Sequence, residues 1–582
     1  MNYYPNDEEA LKKIIEKYEA ISFDIWDTLI ARTVLQPEDV FSIVENRAKQ
    51  MEIEVLDFRM HRHEAVFQVV CANPNISEIY DALQKAANLS DSTKETLMQL
   101  EIQAESEVIV PRKAMVEVLN YAVLQGKRVN LISDMYLPGE VMESFLRQLG
   151  ITGYENIFIS CDYRRLKKEG LYSFYKEKVQ AETYLHIGDN LDSDILAAEH
   201  WGMNAAFIKS GYRLLEESAF AEMLSQVKTH NERNMAGLFC VRVFNDPFIG
   251  NGQIKISDVE DLGWLFIAPI MSAFMLWLEK EVQKEHFDGL LFAARDGFLI
   301  QKLYRQMQKK RLHATLPKGI FFLTSRALCT QAGIEDEEDI LWLATVKFNG
   351  TAQELLRYRF FLTPEEIMSS NGETENITEY IMRHKKEIFL RASENRRNYL
   401  LYMKNLGIEE GKKYIFFDFV SSGTCQFFLE RFVPFEMKGK YFCRSVTEDK
   451  KGSLKIDSFY INNGVEKADS LLYKNYRYLE TIMTSPNPSL CYIDEKLEPV
   501  YDEETRNEEE LQFIEKVHKS IEEYFGYFQG MCDWNEEINV KIAEELYQYM
   551  DETYFEITCK TLDSMRLRDD WVREFAPNNQ EK

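Results

Sequence analysis

Four short apolar runs in the first two hundred or so residues, AISFDIWDT, RVNLISD, NIFISCD and TYLHIGD, are rich in aromatic and β-branched residues, and each ends at a polar group. Each is followed by a turn and then by apolar residues at helical spacing, so they read as strands feeding helices. Strands that alternate with helices form a parallel sheet covered on both faces, with ligands bound beyond the carboxyl ends of the strands. The polar end groups are therefore expected along one edge. Between the first and second strand the pattern is helical with almost no strand signal. PEDVFSIVENRAKQM, DFRMHRHEAVFQVV, ISEIYDALQKAA and STKETLMQLEIQAESEV predict four helices. An all-helical insertion there would stand over the sheet edge as a lid, covering about residues 34–110.

A second α/β series follows the polar stretch VKTHNERNMAG: a long apolar helix near Leu262 to Val282, strand GLLFAAR, helix FLIQKLYRQMQ, strand GIFFLTS, several helices, strand KYIFFDF, helix TCQFFLERF and strand KGKYFCRSV. From about residue 503 the pattern turns acidic and helical, as in EEELQFIEKVHKSIEEYFGYF. The expected organisation is a Rossmann-like α/β domain over 1–220 with an inserted helical cap, a second α/β domain over 250–500 and a helical region over 503–582. A length of 582 residues agrees, because it exceeds what one core usually serves. No internal repeat or low-complexity tract interrupts the series.

Composition narrows the partners. With 69 Lys plus Arg against 96 Asp plus Glu, the formal charge of -27 repels nucleic acid and anionic membrane surfaces, and no local basic patch offsets it. Nucleic acid is excluded as an expected partner. The uncharged run from Leu262 to Leu278 contains Gly263 and Pro269, is short for a membrane span and is followed at once by Glu279, Lys280 and Glu281, so a buried helix is expected. The start, MNYYPNDEEALKKIIEKYEA, has no apolar core of signal-peptide length. The nine cysteines are scattered and free of CxxC spacing, as expected of reduced thiols in a cytoplasm. Nothing in the pattern sets an oligomeric state.

The strand ends of the first domain carry groups suited to phosphoryl transfer. Asp24, ending the first strand, is placed to attack phosphorus and form an acyl phosphate, provided a metal ion neutralises the repulsion between oxyanions. Thr28 follows it by four residues. Ser133 could hydrogen-bond a phosphoryl oxygen, and Lys167 or Lys168, before a helix, could screen both nucleophile and phosphate. Asp189 supplies a second carboxylate, and Asp194 fits GDxxxxD spacing to orient the ion. All-oxygen ligands with retained waters suit Mg2+. Thr28, Asp134 and Asn190 complete the set as expected substrate contacts. Taken singly, each of these residues is as well explained by a helix cap or a turn; the order of all four motifs is what carries the reading.

That order resembles the haloacid-dehalogenase (HAD) superfamily, whose four motifs appear here as FDIWDTL, LISD, the KK pair and GDNLDSD, over roughly residues 18–215. More narrowly, SFDIWDTL with ISDMYLP looks like a bacterial branch of predicted HAD hydrolases associated with surface polysaccharide synthesis. The resemblance implies a phosphatase acting on a small phosphorylated metabolite, such as a sugar phosphate, through an aspartyl phosphate. One position departs from it. Phosphatases of the superfamily carry a second Asp two residues after the nucleophile as general acid and base, and here that position is Trp26. A missing general acid costs about 10²- to 10⁴-fold. Strand alternation places Asp24 and Trp26 on one side and Asp27 on the other, giving Asp27 a structural role and leaving proton transfer to the cap or water. The alternative is a catalytically weak scaffold that binds a ligand or serves assembly.

In the second domain, AARDGF (Arg295, Asp296), LTSRAL (Arg326) and DFVSSGT (Asp418, Ser421, Ser422, Gly423, Thr424) follow apolar strands. A parallel sheet would gather them at one edge, with two arginines and a small-residue loop around an anion. A structural ion network among the same charges, with SSGT as a helix cap, is the competing expectation.

Overall fold

The computed structural model describes residues 2–249, 254–256, 258–311, 316–367, 376–445, 454–462, 476–551, 555–557, 568–569 and 573–575. The chain divides into two compact units: Met1–Lys255 with Gly526–Glu556, and Ile256–Phe525 with Ile557–Lys582.

The first unit is built on a six-stranded sheet in the order Asn2–Tyr3, Asn204–Phe207, Tyr184–Gly188, Ala20–Phe23, Arg128–Ser133 and Asn156–Ile159. Every neighbouring pair is parallel. All four expected strands are present, and the one carrying Asp24 lies in the middle. Its residues are wholly buried, which is why AISF reads as a continuous apolar run rather than an alternating one. Phe23 pairs with Ile187 and Leu131, so Asp24, Ser133 and Asp189 leave the sheet at nearly one level.

The four cap helices also form, as Asp39–Gln50, Phe58–Gln68, Ile76–Ala87 and Asp91–Val108. The chain enters and leaves the cap through an antiparallel pair, Ile30–Arg32 with Ile109–Pro111. Asn75 and Glu78 form a capping box at the third helix. Inside the cap, fully buried Arg62 holds buried Glu101 through two hydrogen bonds of 2.7 and 2.6 Å, and Tyr80 donates to the same carboxylate at 2.8 Å. Removing one partner of such a pair costs about 3–5 kcal/mol.

The unit extends past the boundary expected near residue 220. The polar stretch there is a helix start: Thr229 and Glu232 form a capping box for the helix His230–Val243. Arg233 of that helix pairs with Asp39 of the cap at 2.5 Å. Gly237 lies so close to the backbone of Thr33 that a Cβ would fall 2.5 Å from its carbonyl oxygen. Asn231 donates to the Asp533 carbonyl and accepts from the Asp533 N–H, both at 2.8 Å, which ties in residues from the far end of the chain. The region expected to be helical from 503 onward is divided accordingly, with the helix Glu508–Met531 passing from the second unit into the first and the short strands Arg568–Asp569 and Glu574–Phe575 in the second.

In the second unit a parallel five-stranded sheet runs in the order Lys318–Phe322, Gly289–Ala293, Lys413–Ser421, Glu436–Ser445 and Ile456–Asn462. The segment Val259–Gln283 is long and apolar enough to cross a membrane by length and composition, and 89% of its most apolar window is buried within the fold. Gly263 allows close approach there, since a Cβ would lie 2.8 Å from the Val517 carbonyl oxygen. Cys161, Cys240, Cys329, Cys443 and Cys532 are buried, and Cys559 lies outside the described residues.

Candidate functional site

Asp24, Asp189 and Asp194 each bring a carboxylate oxygen within 4.8 Å of the others. The backbone builds the cluster. The Asp24 N–H donates to Ile187 at 2.8 Å, which fixes the end of the central strand. Beyond Gly188 the chain enters a π-helical turn, Leu191–Leu196, that carries Asp194 back toward the sheet. Gly188 is required for this, because a Cβ there would lie 2.3 Å from an Asp194 carboxylate oxygen. The Asn190 N–H donates to Asp194 at 2.9 Å and locks the turn.

Lys167 is the lysine of the site. It is 1% exposed, and its ammonium donates to Asp24 and, at 2.5 Å, to Asp194. Lys168 is exposed. The Lys167 N–H is held by Asp134 at 2.9 Å, so Asp134, expected as a substrate contact, has a hydrogen bond that positions the lysine. The Asn190 side chain caps the following turn by accepting from the Asp192 and Ser193 N–H groups, and so is also engaged within the fold. Buried Thr28 donates to Asp189 at 3.4 Å, and buried Ser133 hydrogen-bonds the Asp24 carboxylate.

The electrostatics divide the three acids. Burial pushes Asp24 up to about 7, even with Lys167 beside it. Burial also raises Asp189 strongly, and the negative charges of Asp27, Asp194 and Asp24 add to the effect. At Asp194 burial is outweighed by Lys167 and His186, so its carboxyl stays below the ordinary range. Burial opposes the Lys167 ammonium, yet Asp194, Asp24 and Asp134 hold it above the ordinary lysine range. One contacting lysine thus leaves excess negative charge among three hard oxygen donors. That donor set fits Mg2+, with Asp24, Asp189 and Asp194 as the residues to hold it.

One expectation about the flanking residues changes. The strand ends at Phe23, and Asp27 sits in a left-handed conformation with φ 53°, so strand alternation does not decide where it faces. Its carbonyl accepts from buried Arg112, and its carboxyl lies among Arg32, Arg112 and Asp189, facing a small cavity. Trp26 is buried beneath the Arg32 guanidinium, 3.5 Å from the ring centroid, and Arg32 in turn pairs with Glu105 of the cap at 2.8 and 3.1 Å. Among the described residues the Trp26 indole N–H has no hydrogen-bond partner.

The cap is fixed at this edge of the sheet. The Ile76 N–H donates to Tyr136, three residues past Ser133, at 2.9 Å, and Glu78 accepts from Arg164, three residues before Lys167, at 2.6 and 2.9 Å. His186 is a component that sequence reasoning missed. It lies wholly buried between Ser22 at 2.9 Å and Asp194 at 3.3 Å, and burial lowers its affinity for a proton. A histidine in the middle of the otherwise apolar run YLHIG was the signal available.

With this geometry in place, residues 164–224 match the HAD-hydrolase-like family model. The matched segment contains Lys167, Asp189 and Asp194. No curated protein matches the chain. Among solved structures, it is similar to a dehalogenase in an intermediate complex, with 17% identity over 33% of this chain and 85% of that one and a TM-score of 0.24. A hydrolase from Streptococcus pneumoniae gives 17% identity over 34% and 98% of the two chains with a TM-score of 0.23, and a HAD phosphatase from Thermococcus onnurineus 16% over 33% and 86% with 0.24.

At the second unit's sheet edge, Arg295, Asp296, Arg326, Asp418, Ser421 and Thr424 line one cavity, as expected from their strand ends. Ser422 and Gly423 are not among its lining. The loop folds on itself, with the Gly423 N–H donating to the Ser421 hydroxyl at 3.1 Å and φ of 91° at Gly423.

Proposed function

We propose that the first unit is a HAD-type phosphatase that hydrolyses a small phosphate ester, a sugar phosphate being the favoured substrate, with Mg2+ held by Asp24, Asp189 and Asp194. The observation that carries this reading is the triad of carboxylates within 4.8 Å, contacted by Lys167. Asp24 attacks phosphorus, the bond to the ester oxygen breaks, and an aspartyl phosphate forms. Lys167 screens nucleophile and phosphoryl oxygens, while Ser133 donates to one of those oxygens. When bound, Mg2+ supplies further charge neutralisation at the phosphoryl group. Water then attacks the aspartyl phosphate, releasing phosphate and restoring the carboxylate. The Trp26 indole N–H is far too weak an acid to serve as general acid, so the leaving alkoxide takes its proton from water entering beneath the cap, which sets a slow turnover.

The packing of Arg32 on Trp26 favours a second reading, in which the unit binds a phosphorylated ligand without turning it over. Both readings place the protein in the cytoplasm, and its service to surface polysaccharide synthesis is part of the proposal. Phosphate release from an aryl phosphate and a sugar-phosphate panel, with and without Mg2+, separates the two. Magnesium-dependent release that disappears in Asp24→Asn supports catalysis. Magnesium-dependent binding of the same compounds with no release supports the scaffold.

A further inference from the structure

The sheet of the first unit buries a polar pair that none of the proposed reaction steps uses. Ser22, in the strand Ala20–Phe23, and His186, in the strand Tyr184–Gly188, are register partners on neighbouring parallel strands, and both are wholly buried. An apolar pair would fill the middle of a sheet with no polar atoms to satisfy, whereas buried polar groups cost free energy unless they are bonded. Both of these are bonded. The Ser22 hydroxyl lies 2.9 Å from Nδ1 of His186, and Nε2 lies 3.3 Å from Oδ1 of Asp194.

The donors and acceptors fix the direction of this chain. Oδ1 of Asp194 also accepts from the Lys167 ammonium at 2.5 Å, so it is a carboxylate oxygen with only lone pairs to offer. Nε2 must therefore carry the proton that joins it to the imidazole. In the neutral ring Nδ1 is then the acceptor, and the Ser22 hydroxyl, as its donor, selects the tautomer. Tyr172 steadies both ends of the contact. Its ring meets that of His186 edge-on, with centroids 5.0 Å apart and planes at 70°, and its hydroxyl donates to the carbonyl of Ser193, next to Asp194, at 3.0 Å. The Ser193 hydroxyl adds a longer contact to Oδ1 at 3.4 Å, while Oδ2 accepts from the Asn190 N–H at 2.9 Å. Asp194 is thus held from the sheet at one oxygen and from its own turn at the other.

Lys167 alone is a poor anchor for Asp194, because its ammonium is shared with Asp24 and, in the proposed reaction, with phosphoryl oxygens. The His186 Nε2–H serves Asp194 only. We propose that His186 is a positioning residue of the phosphatase site: in the tautomer set by Ser22, its Nε2–H holds the Asp194 carboxylate in place for Lys167 and for the metal. This rests on reading Asp24, Asp189 and Asp194 as a Mg2+ site.

Calorimetric titration of the full chain with MgCl2, with the melting temperature recorded for each protein, compares wild type, His186→Leu, His186→Gln and the double variant Ser22→Ala with His186→Leu. Leucine fills space without a donor, whereas the glutamine amide keeps an N–H at a reach similar to Nε2. His186→Leu is expected to fold, since the Ser22 hydroxyl can turn to the Leu185 carbonyl at 3.5 Å, and to weaken Mg2+ binding about tenfold or more. The double variant makes the pair apolar, an exchange near neutral for stability, and should show the same loss. His186→Gln should stay within about threefold of wild type. Three results overturn the proposal and leave the Mg2+ reading standing: affinity within about twofold of wild type in a folded leucine variant, losses as large in His186→Gln as in His186→Leu, or failure of both leucine variants to fold, which would make the pair a requirement of the fold. No Mg2+ binding by the wild-type chain at about 10 mM overturns the Mg2+ reading, and the proposal with it.

Discussion

Two parallel sheets in this chain end in polar edges, and they arrange charge differently. At the first, Lys167 touches Asp24 and Asp194, and Asp189 brings a carboxylate oxygen within 4.8 Å of both. At the second, arginines and carboxylates together line a cavity of about 200 Å3. The first arrangement has an excess of oxygen donors in contact, which is what a small hard cation and an in-line attack require. The second brings side chains of both signs to the wall of one cavity, with room between them for a small molecule.

The most severe way to break the comparison is to remove the nucleophile. Asp24→Asn should lower phosphate release by about 10⁴-fold or more, because the aspartyl phosphate can no longer form. Release comparable to the wild-type protein would show that the contacting cluster is not the reactive one. The next largest effect separates the two lysines. Lys167→Met leaves two buried carboxylates without their cation and should cost about 3–5 kcal/mol in urea unfolding, with turnover down about a hundredfold. Lys168→Met should remain within about 0.5 kcal/mol of wild type, as for an exposed side chain. Equal losses in the two variants would contradict the buried contacts of Lys167.

Those lysines mark the limit of what the sequence could resolve. Strand ends were legible because each apolar run stops at a polar residue, and the cap because four helical periods follow one another without a strand. Choosing Lys167 over Lys168 depends on the register of one short turn, Lys167–Glu169, and both residues precede the same helix. Asp27 was placed by strand alternation, which fails because the strand stops at Phe23 and the chain turns left-handed four residues later. Glu480, Asp502 and Arg573 reach the second cavity from segments with no motif, through packing that only the folded chain reveals. The boundary near 220 was missed because the polar stretch VKTHNERNMAG reads as a linker, while its Thr229 and Glu232 cap a helix of the same unit.

A smaller effect probes the cost of burying charge at the second edge. Asp296, beside Arg295, Asp418, Arg326 and Glu480, has its pKa pushed by burial from 3.8 up to about 6. Between those values the folded chain keeps a proton that the unfolded chain has lost, so stability falls as pH rises from about 4 to about 6, and the full cost applies above that. The upper bound is about 3 kcal/mol, with the favourable effect of the flanking arginines already included. Asp296→Asn should remove this slope: relative to wild type it gains stability in urea unfolding at about pH 7.5 compared with about pH 4.5. An identical pH dependence in both proteins would mean that the second edge neutralises its charges as completely as the first.

The smallest expected effect tells two hydroxyl groups of the second edge apart. Ser421 ends the strand Lys413–Ser421, lines the cavity, hydrogen-bonds the Asp418 carboxyl and accepts from the Gly423 N–H at 3.1 Å. Ser422, one residue on, lies outside the lining, with its hydroxyl 3.4 Å from that of Thr424. A hydrogen bond contributes about 0.5–1.5 kcal/mol net, and more to a charged group, so Ser421→Ala should cost about 1–2 kcal/mol in urea unfolding. Ser422→Ala should change stability by less than about 0.5 kcal/mol, since it removes no group from the cavity wall. If instead Ser422→Ala costs as much as Ser421→Ala, the bond to Asp418 is not what holds the loop. The loop would then keep its place through its backbone, whereas at the first edge Lys167 and Asp194 hold one another directly, and the difference between the two edges would widen.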